Sequence, residues 1–261
     1  MSVEALSGKV FLLVTGASRG IGRQIAITFG SLLQEGSHIL LLARNLDALQ
    51  EVAKNIPSKV TVDTVSINLG KSTKVELEET ISHSLKETTP DIFDRVVLVH
   101  NVGTFGASKL VNELTDLNIW KEHYDLNFFI PVVLNAVVMN MFNSTNIKKV
   151  VINVTSLYGI QAGYGCGYYC SSKAAREMFF KVFALENPDV NVLSYSPGPV
   201  ETDMFYTVCE NLIDTSAKKE FNELRVTKTV LTPEQTVNRL LQILREHKYK
   251  SADHVDYYDE L

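Results

Sequence analysis

Three side chains in one short stretch have the types and spacing for carbonyl chemistry. Tyr169 and Lys173 stand four residues apart in YYCSSKAAR, a run that favours helix, so their side chains share one face about one turn apart. Ser156 closes the apolar run KVVINVTS and precedes the tyrosine by a loop. A phenol with a pKa near ~10 is a poor proton carrier at neutral pH, whereas a neighbouring ammonium favours the phenolate and eases exchange with an alcohol or ketone. A serine hydroxyl can hydrogen-bond the oxygen on which charge changes during such a reaction. The pair alone is a common spacing on helices. The elements that must position it give it weight.

The run KVFLLVT at 9–15 reads as a strand buried on both faces. It leads into Gly16, Ala17, Ser18, Arg19, Gly20, Ile21 and Gly22, then into a helical pattern through Ile25, Ala26, Phe29, Leu32 and Leu33. Strand, glycine-rich turn and helix in that order form the context of a dinucleotide-binding loop, in which backbone N–H groups and the helix N-terminus meet a pyrophosphate. The next strand, HILLLA, ends at Arg44. A carboxylate there would suit a cofactor with a free ribose 2′-hydroxyl; an arginine, with Arg19 as a second cation, suits a 2′-phosphate, and NADP(H) is expected over NAD(H).

Further along, the patterning predicts a helix over 46–55, a strand over 60–67, a helix over 71–88 and a strand over 95–99 that runs into His100-Asn101-Val102-Gly103. Asn68, after the third strand, could pair with an adenine edge or simply form a turn. His100 reads as a sheet-end histidine satisfied by backbone groups rather than as a catalytic base. The segment 112–142 is helical in pattern and holds Asn127 among apolar neighbours, where it could support a water on the path to Lys173 or satisfy a helix irregularity. The fifth strand runs to Ser156, the Tyr169 helix follows, and Val190–Ser196 is the sixth strand, leading into Pro197-Gly198-Pro199. Residues 205–228 have weak periodicity and read as a substrate loop or lid. A helix over 232–246 precedes the final stretch. Six β/α alternations without an internal repeat or linker predict one domain over 1–261, a Rossmann-type doubly wound parallel sheet flanked by helices.

Composition agrees. With 261 residues, 45% hydrophobic, the chain can bury a large core, and a formal charge of −5 gives no support to nucleic-acid binding. Cys166, Cys170 and Cys209 read as free thiols of a reducing compartment, without the partners a zinc site needs, so no metal is expected. The N-terminal apolar run is too short for a secretory leader, and the tract from Phe128 to Phe142 is broken by Pro131, Asn135 and Asn140; the expected localisation is cytoplasmic, with no membrane partner.

TGASRGIG at 15–22, HNVG at 100–103, Asn127, Ser156, YCSSK at 169–173 and PGPVET at 197–202 together resemble the short-chain dehydrogenase/reductase family over essentially the whole chain. The resemblance implies a catalytic tetrad of Ser156, Tyr169, Lys173 and Asn127, with Tyr169 as proton donor. It also implies a cofactor set comprising the glycine loop with Arg44, Asn45, Asn68, Leu69, Asn101, Gly103, Pro197, Val200, Thr202 and Met204, besides Tyr169 and Lys173. The runs YYCSSKAAREM, VLSYSPGPVETDM at 192–204 and SADHVDYYD at 251–259 are most similar to the pterin-reducing branch. That likeness implies reduction of pterin side-chain ketones in tetrahydrobiopterin synthesis by a homodimer. Asp256 would anchor the pterin, and Leu157, Tyr164, Gly198 and Met204 would form pocket walls beside Ser156 and Tyr169. A carboxylate can accept paired N–H bonds from a pterin's guanidine-like edge, although by itself Asp256 reads as a surface residue of an acidic tail. His100 and Val102 depart from the family's Asn and Ala, and Asn68 from its common Asp. A broad carbonyl or diketone reductase and a non-catalytic NADP-binding protein are the alternative readings.

Overall fold

The computed structural model describes residues 3–86 and 88–260. Seven strands, β1 (Val10–Thr15), β2 (His38–Ala43), β3 (Thr61–Ser66), β4 (Arg95–His100), β5 (Lys148–Val154), β6 (Val190–Ser196) and β7 (His254–Asp256), form one sheet in the order β3-β2-β1-β4-β5-β6-β7. Every pairing is parallel. Parallel strands need crossovers and must be covered on both faces, which is why β1, β2 and β4 read as unbroken apolar runs and are buried throughout.

Alternate residues of β1 feed two cores. Val10, Leu12 and Val14 pack with Ile25 and Phe29 of α1 (Gly20–Leu32), Leu49 of α2 (Leu46–Ala53) and Leu240 of α9 (Pro233–Glu246). Phe11 and Leu13 face the opposite layer, with Leu77 and Ile81 of α3 (Lys74–Leu85) and Leu134 and Val138 of α5 (Ile130–Met141). Phe180 and Ala184 of α6 (Gly167–Glu186) cover β5 and β6 on that second side. The strand order reverses direction between β1 and β4, so the loops leaving these two strands diverge and open a crevice at the carboxyl edge.

Four features depart from the sequence expectation. The final stretch adds a seventh strand, β7, whose three residues were too few to show a period. Residues expected as an irregular loop at 205–228 lie within two helices, α7 (Asp203–Asn211) and α8 (Thr215–Thr227). Thr202 and Asp214 cap them, accepting backbone N–H bonds from Phe205 and from Ser216 and Ala217; polar residues at helix starts masked the weak apolar stripe. The helix expected over 112–142 starts at Leu117 as α4 (Leu117–Tyr124) and passes through a π-helical turn, Asp125–Phe129, before α5. As one run, Leu117–Met141 is long and apolar enough to cross a membrane, yet Leu134, Val137 and Val138 are spent on the core beneath the sheet. Finally, His100 is not satisfied by backbone groups. Its Nε2 lies 3.5 Å from Asn135 Oδ1, its ring packs against Phe180 and its Nδ1 has no partner among the described residues.

The buried histidines make stability depend on pH with a defined sign. Burial, with the nearby Arg176 charge, pushes His100 down to about 3, and burial pushes His123 down to about 4, from 6.5. Below ~6.5 the unfolded chain binds protons that the fold refuses until ~3–4, so stability is complete above that range and falls as pH drops through it. Thermal melts at stepwise pH should show Tm constant above pH ~7 and declining from ~6.5 towards ~4, and His100→Leu should make the decline shallower. A Tm flat from pH 7 to 4 would contradict this account.

Candidate active site

Because all strands are parallel, the loops after β1, β2, β3, β4, β5, β6 and β7 emerge at one edge. The glycine loop follows β1, Asn101 follows β4, Ser156 follows β5 and Pro197 follows β6. After β1, the glycine loop runs under the N-terminus of α1. Gly16 and Gly20 have φ of 67° and 55°, the left-handed region that favours glycine. A Cβ on Gly22 would stand 2.4 Å from the Gly16 carbonyl oxygen and 2.5 Å from Asn101 Nδ2, so only glycine lets the loop close on itself there. Asn101 ties the loop to β4: its Nδ2 donates to the carbonyls of Thr15 (2.9 Å) and Gly16 (3.3 Å), and its N–H donates to Thr15 Oγ1 at 3.0 Å. Thr15 Oγ1 donates in turn to Val99 O at 3.1 Å, fixing both walls of the crevice. No side chain caps the start of α1, leaving its first N–H groups to face an anion.

The cations expected at the ribose end are exposed. Arg19 pairs with Asp203 at the start of α7, and the Arg44 side chain, just past the end of β2, has no partner among the described residues, while its carbonyl accepts from Ser66 Oγ. Asn45 spends its Oδ1 on capping α2 through the N–H of Ala48, at 3.0 Å. Asn68 is exposed and begins a 3₁₀ turn over Leu69–Lys71 in which Leu69 is buried. Glycine turns, an uncapped helix start and exposed cations at the edge fit a dinucleotide with an extra phosphate. On the opposite wall, Thr202 caps α7 while its Cγ2 presses close to Gly20, and Val200 is buried in a bridge to Leu231. Pro197 accepts from Thr236 Oγ1 at 2.9 Å, which fixes the turn that Gly198 continues.

Ser156, Tyr169 and Lys173 meet over the end of β5. Ser156 begins a 3₁₀ turn, its Oγ accepting from Tyr158 N–H at 3.2 Å. Tyr169 lies in the first turn of α6, packed against Phe105 at 5.1 Å between ring centroids. Lys173 Nζ sits 5.5 Å from the Tyr169 ring centroid and donates to Val154 O at 2.8 Å. Burial pushes the phenol up to about 12, with the Ser156 hydroxyl and the Arg176 charge pulling the other way. Burial and Arg176 drive the Lys173 ammonium well below its ordinary range, against the pull of Glu177. At the phenol, desolvation outweighs the neighbouring charges in this structure.

Asn127 sits in the π-helical turn, fully buried. Its side chain pairs with one peptide group, Oδ1 accepting from Thr104 N–H at 2.8 Å and Nδ2 donating to Thr104 O at 2.9 Å. That pairing explains Gly103, where a Cβ would stand 2.9 Å from Asn127 Oδ1. Pro131, four residues on, has no N–H to offer the Asn127 carbonyl, which instead accepts from Arg176 Nη1 at 3.4 Å. The Asn127 side chain thus serves the Thr104 peptide group, while Arg176 serves the carbonyl freed in the helix.

The expected pocket residues divide. Met204 packs in one cluster with Phe105, Tyr169, Val208 and Leu212. Leu157 and Tyr164 are exposed on the loop before α6. Asp256 ends β7 in register with Ser196, beside the turn where Gly198 meets Tyr257 and Tyr258, and its Oδ1 accepts from the Tyr258 N–H at 3.1 Å.

Two further groups escaped the sequence reading. Arg176, fully buried, donates from Nε and Nη2 to Asn153 Oδ1 at 3.0 and 2.6 Å and from Nη2 to His100 O at 2.8 Å. Glu177, buried one turn beyond Lys173, pairs with His254 of β7 at 2.8 Å. Arg176 falls two turns after Tyr169 and on the same face, a signal the sequence did contain: a cation on a face that must be buried.

A profile of the family described as short chain dehydrogenase matches residues 10–212. The chain is 33% identical to sepiapterin reductase of Bos taurus over 258 residues, covering 97% of this chain and 96% of that protein. It is 29% identical to a benzil reductase of Bacillus subtilis that forms (S)-benzoin, over 90% of this chain and 93% of the relative. A short-chain dehydrogenase/reductase structure from Saccharomyces cerevisiae superposes with a TM-score of 0.80 at 25% identity, covering 97% of both chains.

The crowding at Gly22 yields a direct test. Gly22→Ala should push Gly16 and Asn101 apart and weaken NADPH binding by about tenfold or more, measured by quenching or calorimetry. Unchanged affinity would remove the glycine loop from the cofactor site.

Proposed function

The chain belongs to the short-chain dehydrogenase family, and from that premise we propose that it reduces the side-chain ketones of pterins, sepiapterin and 6-pyruvoyl-tetrahydropterin among them, with NADPH. The single observation that supports the reading is that Asp256 ends β7, in register with Ser196, at the same carboxyl edge of the sheet from which β5 leads to Ser156. The Asp256 carboxylate can accept two N–H bonds from the pterin's guanidine-like edge. The full-length likeness to sepiapterin reductases, at 30–33% identity in several vertebrates, supports the same substrate class.

NADPH supplies the hydride when bound, and the glycine loop with Arg19 and Arg44 would hold its phosphates. The remaining chemistry belongs to this chain. Ser156 hydrogen-bonds the substrate carbonyl and so fixes which oxygen faces Tyr169. Tyr169, protonated at any pH below about 12, donates its hydroxyl proton as charge gathers on that oxygen. Lys173 anchors the first turns of α6 to the end of β5 and adds its charge beside the phenol whenever it is protonated. Met204, Leu157 and Tyr164 border the space above the carbonyl and exclude water from one side.

The homodimer expected for this reading would cover Phe129 of the π-helical turn and the stripe Met178, Val182 and Leu185 on α6, large apolar side chains that are exposed in the monomer. A cytoplasmic location belongs to the same proposal. Helices α7 and α8 would close over the pterin as the lid.

A second reading, reduction of small diketones, is favoured by the benzil reductase relatives. NADPH oxidation by the wild-type protein, Tyr169→Phe and Asp256→Asn, with sepiapterin and with benzil, separates the two. Tyr169→Phe should lower kcat by about 10²–10⁴-fold on both substrates while still binding NADPH. Asp256→Asn should raise the sepiapterin KM about 10- to 100-fold and leave benzil turnover within about twofold. Equal loss on both substrates, or benzil turnover alone in the wild type, would sink the pterin reading. Full activity in Tyr169→Phe would remove the proton donor.

A further inference from the structure

Two thiols flank the proton donor and neither takes part in the chemistry above. Cys166 immediately precedes α6 and Cys170 lies in its first turn, next to Tyr169. Their backbones are joined by the Cys170 N–H bond to Cys166 O at 2.8 Å, and both sulfurs lie against Gly163, where a Cβ would stand 3.2 Å from Cys166 Sγ. Residues four apart on a helix have Cα atoms about 6 Å apart, inside the span that a disulfide bridges. The surroundings treat the two unequally. Cys170 is half-buried, its Sγ accepts the Gly163 N–H at 3.4 Å, and it faces the positive end of a twenty-residue helix. Cys166 is buried, and its thiol lies 3.5 Å from the Tyr164 carbonyl. The neighbouring Cys166 thiol and the Gly163 N–H bring Cys170 down to about 6, while the Cys170 sulfur and burial push Cys166 up. One sulfur is thus a nucleophile at neutral pH and the other a protonated partner within reach.

We propose that Cys166 and Cys170 form a reversible modification site, a dithiol that a hydroperoxide converts to an intrachain disulfide, thereby distorting the first turn of α6 and shutting the cleft. The Cys170 thiolate attacks one oxygen of the O–O bond. That bond breaks, the other oxygen leaves as water after taking up a proton, and Cys170 becomes a sulfenic acid. The Cys166 sulfur then gives up its proton and attacks the Cys170 sulfur, the S–O bond breaks and a second water leaves. In sum, two thiols lose two electrons and two protons, and hydrogen peroxide gains them as two waters.

The packing around Cys166 carries the effect to the cleft. A Cβ on Gly165 would stand 2.4 Å from Ile213, and one on Gly167 would stand 2.7 Å from Leu114, so the backbone on either side of Cys166 has no slack. Drawing Cys166 towards Cys170 shifts these contacts, and with them the Ile213 junction between α7 and α8 and the Tyr169 turn. The site does not rest on the identity of the carbonyl substrate, since the thiols are read directly.

The test treats the purified full-length protein with about one equivalent of hydrogen peroxide at neutral pH. Thiol titration, intact mass, peptide mapping and ketone turnover are followed before and after dithiothreitol. The expected result is loss of two of the three thiols, a mass about 2 Da lower, a bridge between 166 and 170, and turnover down about tenfold or more, all reversed by the reductant. Cys209→Ser should respond in the same way. Cys166→Ser should instead give a dimedone-trappable sulfenic acid on Cys170 and no bridge. Three surviving thiols, a bridge to Cys209, or sulfinic acid at Cys170 in place of the bridge would each overturn the proposal. A bridge that leaves turnover intact would refute its link to the cleft.

Discussion

One buried cation holds the reactive edge together. The Arg176 guanidinium has no exposed surface and, among the described residues, no carboxylate in direct contact; its charge is spread over the Asn153 side chain at the end of β5 and the carbonyls of His100, Val102 and Asn127. A bond to a charged donor is worth roughly 1.5–3 kcal/mol, and a buried acceptor left alone costs a comparable amount. Four acceptors from three separate elements are therefore committed to a single side chain of the helix that carries Tyr169. The loop after β4, the π-helical turn and α6 cannot move independently. Removing the charge would leave several carbonyls orphaned at once, which is how a change two turns from the tyrosine would reach it.

That constraint also fixes the electrostatics of the site. Arg176 is buried beside Lys173 and Tyr169, and it acts on them with opposite effect: it opposes a second cation at Lys173 and favours an anion at Tyr169. Burial is stronger than either interaction at the phenol. Tyr169 accordingly rests as a neutral proton donor, the state that reduction of a ketone requires at the moment charge gathers on oxygen. Glu177 and His254 continue the same stripe outward and tie α6 to β7, so the strand that presents Asp256 is joined through a buried pair to the helix that presents Lys173. The groups proposed for catalysis and for anchoring thus belong to one assembly.

Across the crevice, close approach takes the place of charge. Gly22 touches the Gly16 carbonyl and Asn101 so closely that no side chain fits, and Asn101 with Thr15 locks the first turn of the loop to β4. Gly103 does the same on the other side, pressed against the Asn127 amide. These glycines are packing requirements created by polar side chains that satisfy backbone groups.

The sequence by itself determined the sheet's central strands, the glycine loop and the Tyr169–Lys173 pair, because these rest on local patterns: continuous apolar runs, strand–turn–helix order and helical spacing. It also placed Ser156 at a strand end. The tertiary structure alone decided the rest. The π-helical turn at Asn127 follows from a carbonyl freed by Pro131 and claimed by Arg176, forty-nine residues away in sequence. Helices α7 and α8 depend on caps and on packing against Tyr169 rather than on a strong apolar stripe, and β7 exists through its pairing with β6. The rise in the Tyr169 pKa was illegible for the same reason: neighbouring charges can be read from spacing, but desolvation is set only when the whole chain closes around the phenol.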